Sequence, residues 1–201
     1  MFHLPLLNSP RKDVGVLIHG CHLEAEGWER IVFGEGDQLG RVPVGLAEAV
    51  NRNAKLIFWG SGGSVSKDGL KESEYTYAKV FAKLEHLARQ VDRSPAELAK
   101  FVKEVSFLDT KSKNTEQEIK AALRQCRARG IKELILISSP THIARCLQEA
   151  CKLKVKKKPF PIAFYARPCD TCFANSKPYD VVIIEPPLRI ARHWPQREMP
   201  T

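Results

Sequence analysis

No apolar run in the chain approaches the roughly 18 residues that a bilayer-spanning helix requires, so no membrane partner is expected. The opening segment, "MFHLPLLNSPRKD", is apolar but short and broken by proline, unlike a secretion signal. The expectation is therefore a cytoplasmic protein whose six cysteines are reduced thiols rather than three disulfides. Cys126, Cys146 and Cys151 fall in helix-like segments and read as small core residues. "CDTC", Cys169 to Cys172, lacks the second Cys-x-x-Cys of a four-cysteine zinc site. Nor does it open a helix behind a strand as a thioredoxin-type motif would, so it reads as a loop.

Phosphate-binding signatures are missing too. The glycine-rich turn "GSGGS" is not followed by Gly-Lys-Ser or Gly-Lys-Thr, and it is not the Gly-x-Gly-x-x-Gly of dinucleotide-binding folds. No zinc finger or RNA-recognition signature is present. The net charge is +9, and part of the excess lies in "CKLKVKKKPFP". There Lys152, Lys154, Lys156, Lys157 and Lys158 could meet a nucleic acid. No aromatic residue interleaves with them, and a solvated, self-repelling loop is the preferred reading.

What is present is alternation. The chain has 201 residues, 43% hydrophobic and 27% charged, which suits one globular α/β domain. Residues 1–13 read as an irregular lead-in and residues 185–201 as a proline-broken tail. Between them, short apolar runs alternate with helical patterns. "VGVLI", "KLIFW", "VSFL", "LILIS", "PIAFYA" and "DVVII" read as buried strands by their continuous apolar, β-branched character. "GLAEAVNRN" has Leu46, Ala49 and Val50 on one helical face. A second helix runs from about Glu72 with Tyr75, Ala78, Phe81, Ala82 and Leu84 at helical spacing. "SPAE" predicts a capping box, with Ser94 as cap, Pro95 at the first position and Glu97 closing it. "NTEQEIKAALRQCRARG" has a capping Asn114 or Thr115, acids in its first turn, arginines in its last, and Gly130 beyond. "THIARCLQEAC" is a further helix. The pattern predicts a Rossmann-like, doubly wound, mostly parallel sheet of about five to six strands with helices on both faces.

Such sheets bind ligands beyond the carboxyl ends of their strands. Four strands here end in polar loops: "HGCHLEAEGWERIVFGEGDQLGR", "GSGGS", "DTKSKNT" and "SSPTHIAR". Three of these meet a helix N-terminus, which favours anions. The order and spacing of five elements in these loops resemble the YdcF-like family. They are Arg41 leading the first long helix; Ser61, Gly62 and Gly63 after a strand; Glu72, with Glu74 as the near alternative, opening the next helix; Ser112, Asn114 and Thr115; and Ser139, His142 and Arg145 in "ISSPTHIAR". Two places depart from that pattern. The first strand ends "IHGCH", with only Gly20 in place of a glycine-rich turn, and Glu118 stands where the family often has asparagine.

The resemblance implies a Rossmann-like fold and allows S-adenosylmethionine or a nucleotide as ligand. His142 and Glu72 would then be the proton-transfer pair. Arg41, Arg145, Gly20, Gly60, Ser61, Gly62, Gly63, Ser112, Asn114, Thr115 and Ser139 would hold the ligand. The start of a helix lowers an imidazole's pKa, which suits His142 to proton transfer; the Arg145 fork suits phosphate or carboxylate.

The resulting expectation is a small-molecule enzyme acting on an anionic, nucleotide-like or phosphorylated substrate by hydrolysis or group transfer. A non-catalytic S-adenosylmethionine or nucleotide sensor and a basic nucleic-acid-binding protein remain open beside it. No metal is expected, although His19, Cys21 and His22 are ligand types and could be joined by Cys169 and Cys172; side chains so close on one loop rarely converge. Cys21 as a nucleophile activated by a nearby histidine also stays open.

Overall fold

The computed structural model describes residues 13–61, 63–66, 68–156 and 162–172. Five strands form one parallel sheet: β1 (Val14–Ile18), β4 (Leu56–Trp59), β5 (Ser106–Leu108), β6 (Glu133–Ser138) and β7 (Ala163–Pro168). A two-stranded ribbon of β2 (Gly34–Glu35) and β3 (Gln38–Leu39) stands apart from it. The helices are α1 (Trp28–Phe33), α2 (Arg41–Asn51), α3 (Glu72–Ala82), α4 (Leu84–Gln90), α5 (Pro95–Val105), α6 (Thr115–Ala128) and α7 (Pro140–Lys156). Of the expected strands, "DVVII" lies outside the described residues, as do residues 1–12 and the 185–201 tail. No helix among the described residues is long and apolar enough to cross a membrane.

The sheet order is β5-β4-β1-β6-β7. From β1 the chain steps outward through β4 to β5, then crosses back over β1 to continue with β6 and β7. The direction of winding reverses between β1 and β6, which is where such folds open a crevice.

Alternation along the strands sorts their side chains into two cores, one per face. Val14, Val16, Ile18, Ile57, Trp59, Ile135 and Ile137 pack with α1, α2, α3, α4 and α5 through residues such as Ile31, Leu46, Val80, Leu87 and Leu98. On the other face, Leu17, Leu56, Phe58, Leu134 and Leu136 pack with α6 and α7 through Ile119, Ala122, Cys126 and Ala150. Each fully buried Leu, Ile or Phe contributes about 1.5–3 kcal/mol relative to exposure. A sheet covered on both faces therefore needs continuous apolar strands, and β1 and β4 are buried at every position.

Helix starts follow their sequence signals. Ser94 caps α5 by accepting from Glu97 N, and the Glu97 carboxylate returns to Ser94 N at 3.0 Å, completing the capping box. Asn114 Oδ1 caps α6 by accepting from Gln117 N at 3.0 Å. One expected helix is divided: α3 stops at Ala82 and α4 begins at Leu84, with Lys83 outside helical geometry.

Register carries the strand ends to a common rim. Ile18 is level with Trp59 on one side and Ile137 on the other. The ladder then continues one residue further, as His19 N donates to Ile137 O, Gly60 N to Ile18 O, Asp109 N to Trp59 O and Cys169 N to Ser138 O. His19, Gly60, Asp109 and Cys169 thus stand side by side at the carboxyl edge.

Candidate active site

A cavity of about 430 Å³ opens on this rim at the β1–β6 crossover. Residues after β1 form one wall. There the chain runs so close to Ser61 that a Cβ on Gly20 would sit 2.7 Å from Ser61 N and 2.8 Å from Glu72 Oε2. Only glycine fits, so the lone glycine of "IHGCH" is a steric requirement. The opposite wall comes from the starts of α6 and α7.

Of the sequence-predicted residues, Gly20, Arg41, Ser61, Asn114, Thr115, His142 and Arg145 line the cavity together. Gly60, Gly63, Glu72, Ser112 and Ser139 do not line it, and Gly62 lies outside the described residues. Cys21, His22, Lys113, Glu118 and Thr141 complete the wall.

Arg41 and Glu72 hold the walls in shape. Arg41 is 1% exposed. Its Nε and Nη2 donate to Ser139 Oγ at 3.1 and 3.0 Å, and its Nη1 to the carbonyls of His19 and Gly20. That ties the β1 loop to the β6 loop and leaves little of the fork for a ligand. Glu72 is fully buried and accepts from Cys21 N at 2.6 Å, His22 N at 3.1 Å and Trp28 Nε1 at 3.2 Å. Burial raises its pKa against the lowering effect of these donors. Asp109 folds the loop before α6 in the same manner, with Oδ1 accepting from Lys111 N and Ser112 N.

His142 lines the cavity from the first turn of α7. Its Nε2 lies 3.3 Å from Thr115 Oγ1 in the cavity wall; its Nδ1 lies 2.9 Å from Ser138 Oγ and 3.5 Å from Cys146 Sγ behind it. The carboxylate near it is Glu118, whose Oε2 is 2.6 Å from His19 Nδ1. Gly60 makes room for that carboxylate, since a Cβ there would sit 2.8 Å from Glu118 Cδ and Oε1. The His19 and His142 rings meet edge to face with centroids 6.1 Å apart.

Sequence reasoning left Glu118 outside the site because an acid in a helix's first turn is ordinary. Cys146 passed as a core residue because it is one, with 0% exposure. The available signal was Glu118 standing at a place where the resembled family often has asparagine.

The thiols divide sharply. Burial pushes Cys21 up to about 11, Arg41 opposing it, so Cys21 is the reverse of an activated nucleophile. Cys146 goes the other way. Burial alone would raise it, but the charges and hydrogen bonds of His19 and His142 bring it down to about 6. His19 is correspondingly raised to about 10, with burial opposed by the Cys146 and Glu118 charges. Cys169 and Cys172 are both buried. Among the described residues no three His, Cys, Asp or Glu side chains form a metal-binding group. His19 turns to Glu118 while His22 is exposed.

The charged lining is predominantly basic, with Arg41, Lys113 and Arg145 against the single carboxylate of Glu118. Neither the Lys113 ammonium nor the Arg145 guanidinium has an ion-pair partner among the described residues. Comparison with protein-family models, with curated proteins and with solved structures returned no match.

Proposed function

We propose that this chain is a small-molecule enzyme of the YdcF-like kind, acting on an anionic, nucleotide-like or phosphorylated substrate by hydrolysis or group transfer. One observation carries the reading: at the winding reversal of a doubly wound sheet, the cavity wall joins His142 and its Thr115 contact to two cations without ion partners, Lys113 and Arg145. The planar Arg145 fork suits two phosphate oxygens, and Lys113 acts as a point charge. The starts of α6 and α7 add the positive end of a helix dipole. His142 Nε2 is placed to take a proton from a hydroxyl or water in the cavity and return it to a leaving group.

Glu72 has no part in this arrangement, its oxygens being committed to the β1 loop. The acid at the cavity is Glu118, acting through His19.

The test is phosphate release from a panel of nucleotides and simple phosphomonoesters, with His142→Asn as control. The wild type turns over at least one class. The variant loses roughly a hundredfold or more, the range for a general acid-base group, while keeping its melting temperature. Full turnover in His142→Asn sinks the assignment. Calorimetric binding of a nucleotide or S-adenosylmethionine that is recovered unchanged would make the protein a sensor instead.

A further inference from the structure

The cavity carries its two signs of charge on different side chains at different depths. Lys113, before α6, and Arg145, in α7, line it as exposed side chains. Glu118, in the first turn of α6, lines it while only 4% exposed. Its carboxylate is fixed from two sides. Oε2 accepts from His19 Nδ1–H at 2.6 Å, and Gly60 packs so close that a Cβ there would meet Cδ and Oε1 at 2.8 Å. Oε1 has no hydrogen-bond partner among the described residues. It is therefore a buried, immobilised acceptor left to meet a ligand.

A carboxylate accepts hydrogen bonds and donates none, and it repels a phosphate held against it. Lys113 and Arg145 do the reverse. A phosphorylated ligand is thus oriented by the lining, with its phosphate on the two cations and hydrogen-bond donors turned to Glu118. The other groups present suit hydroxyls as well. Ser61, Thr115 and Thr141 supply hydroxyls, and Asn114 supplies its amide nitrogen, its Oδ1 being committed to Gln117 N. Pockets of roughly 300–1,000 Å³ are ordinarily lined by apolar and aromatic side chains, and nucleobases are held by stacking on aromatic rings. Among the described residues, no Phe, Tyr, Trp, Leu, Ile, Val or Met lines this one.

We infer that the substrate of this cavity is a phosphorylated sugar or polyol, and that Glu118, positioned by His19, selects it by accepting from its hydroxyls. The inference rests on the phosphorylated-substrate reading above and narrows it. A nucleotide binds here through its phosphate and ribose, and its base adds nothing. Arg41 takes no part in the selection, because its fork is committed to Ser139 and two carbonyls.

The test is calorimetric titration of the full chain with four probes: ribose 5-phosphate, n-butyl phosphate, inorganic phosphate and adenosine 5′-monophosphate. Ribose 5-phosphate should bind about tenfold or more tightly than n-butyl phosphate, which has the phosphate and no hydroxyl, because hydrogen bonds to a charged acceptor are among the stronger ones. Inorganic phosphate should be no better than n-butyl phosphate. Adenosine 5′-monophosphate should exceed ribose 5-phosphate by no more than about threefold, a limit that base stacking would break. In Glu118→Gln, n-butyl phosphate should bind as well as before, and the ribose 5-phosphate advantage should shrink by about threefold or more as the charged acceptor is lost. A smaller advantage for ribose 5-phosphate in the wild type, or a larger one for the nucleotide, overturns the inference and leaves the phosphorylated-substrate reading standing. Binding by none of the four overturns both. An advantage that survives intact in Glu118→Gln overturns the assignment to Glu118; if that variant does not fold, the wild-type ligand series decides alone.

Discussion

Glu72 is fully buried, and its two oxygens receive four hydrogen bonds: from Cys21 N, His22 N, Trp28 Nε1 and, at 3.4 Å, Ser64 Oγ. A sequence can show an acid at a helix start but not the loop, some fifty residues earlier, whose amides it collects. Its structural role was therefore illegible although its position was not. Glu72→Gln replaces one acceptor by a donor amid these donors. It should lower stability by about 3 kcal/mol, since bonds to a charged acceptor contribute about 1.5–3 kcal/mol each. Urea denaturation checks this; a loss below about 1 kcal/mol would return Glu72 to the catalytic candidates. His19 and Cys146 make a second prediction, about pH. Against its own burial, the Cys146 and Glu118 charges raise His19 above its free value, so its contribution is full below 6.5 and lost as pH rises through the folded value. Against its own burial, the two histidines lower Cys146, so its contribution is full above 9.0 and lost as pH falls through the folded value. Stability should therefore fall toward both acid and alkaline pH, and urea denaturation across pH should show the decline reduced in Cys146→Ser; identical profiles in the two proteins contradict the coupling.

Elements were legible where they are long and periodic. The α5 capping box, the Asn114 cap and the apolar strands β1, β4 and β6 all lie where pattern and capping chemistry put them. The segment between β1 and α2 was not legible: it holds a six-residue helix and two strands of two residues each. Elements that short leave no periodic trace, and their shape depends on glycines with positive φ, Gly27 at 67° and Gly34 at 93°. The turn after β4 shows how a loop element sets the site. Gly60 admits the Glu118 carboxylate, and Gly63, three residues on, has no comparable contact, its nearest being Ser61 Oγ at 3.3 Å. Gly60→Ala should therefore cost about 1–3 kcal/mol by overpacking and push Glu118 away from His19. Gly63→Ala should be near neutral in thermal melts. Equal losses in the two variants would mean that the turn is constrained by its backbone alone.

At the scale of the whole molecule, alternating strands and helices implied a parallel sheet but not its order, because order is decided by which crossover packs where. The reversal between β1 and β6 is what brings "HGCH" and "SSPTHIAR" together, over a hundred residues apart in the chain. The +9 charge is equally ambiguous until located: it could be a diffuse basic surface or a focused anion site. The proposed function takes the second, with Lys113 and Arg145 exposed at the lining against Glu118 while the Arg41 fork is committed to Ser139 and two carbonyls. On that proposal, a nucleoside monophosphate or pyrophosphate should stabilise the folded chain by mass action, about 2.7 kcal/mol at a hundredfold excess over its dissociation constant. For a domain of this size that is a rise of about 5–11 °C in melting temperature. Replacing both Lys113 and Arg145 by alanine should remove most of the rise while leaving the unliganded melting temperature within about 2 °C, because both side chains are exposed and neither has an ion partner among the described residues. Raising the salt should weaken the wild-type shift as the ligand's charges are screened. A shift that survives the double substitution would place the anion on the general basic surface, and the cavity would lose its claim to it.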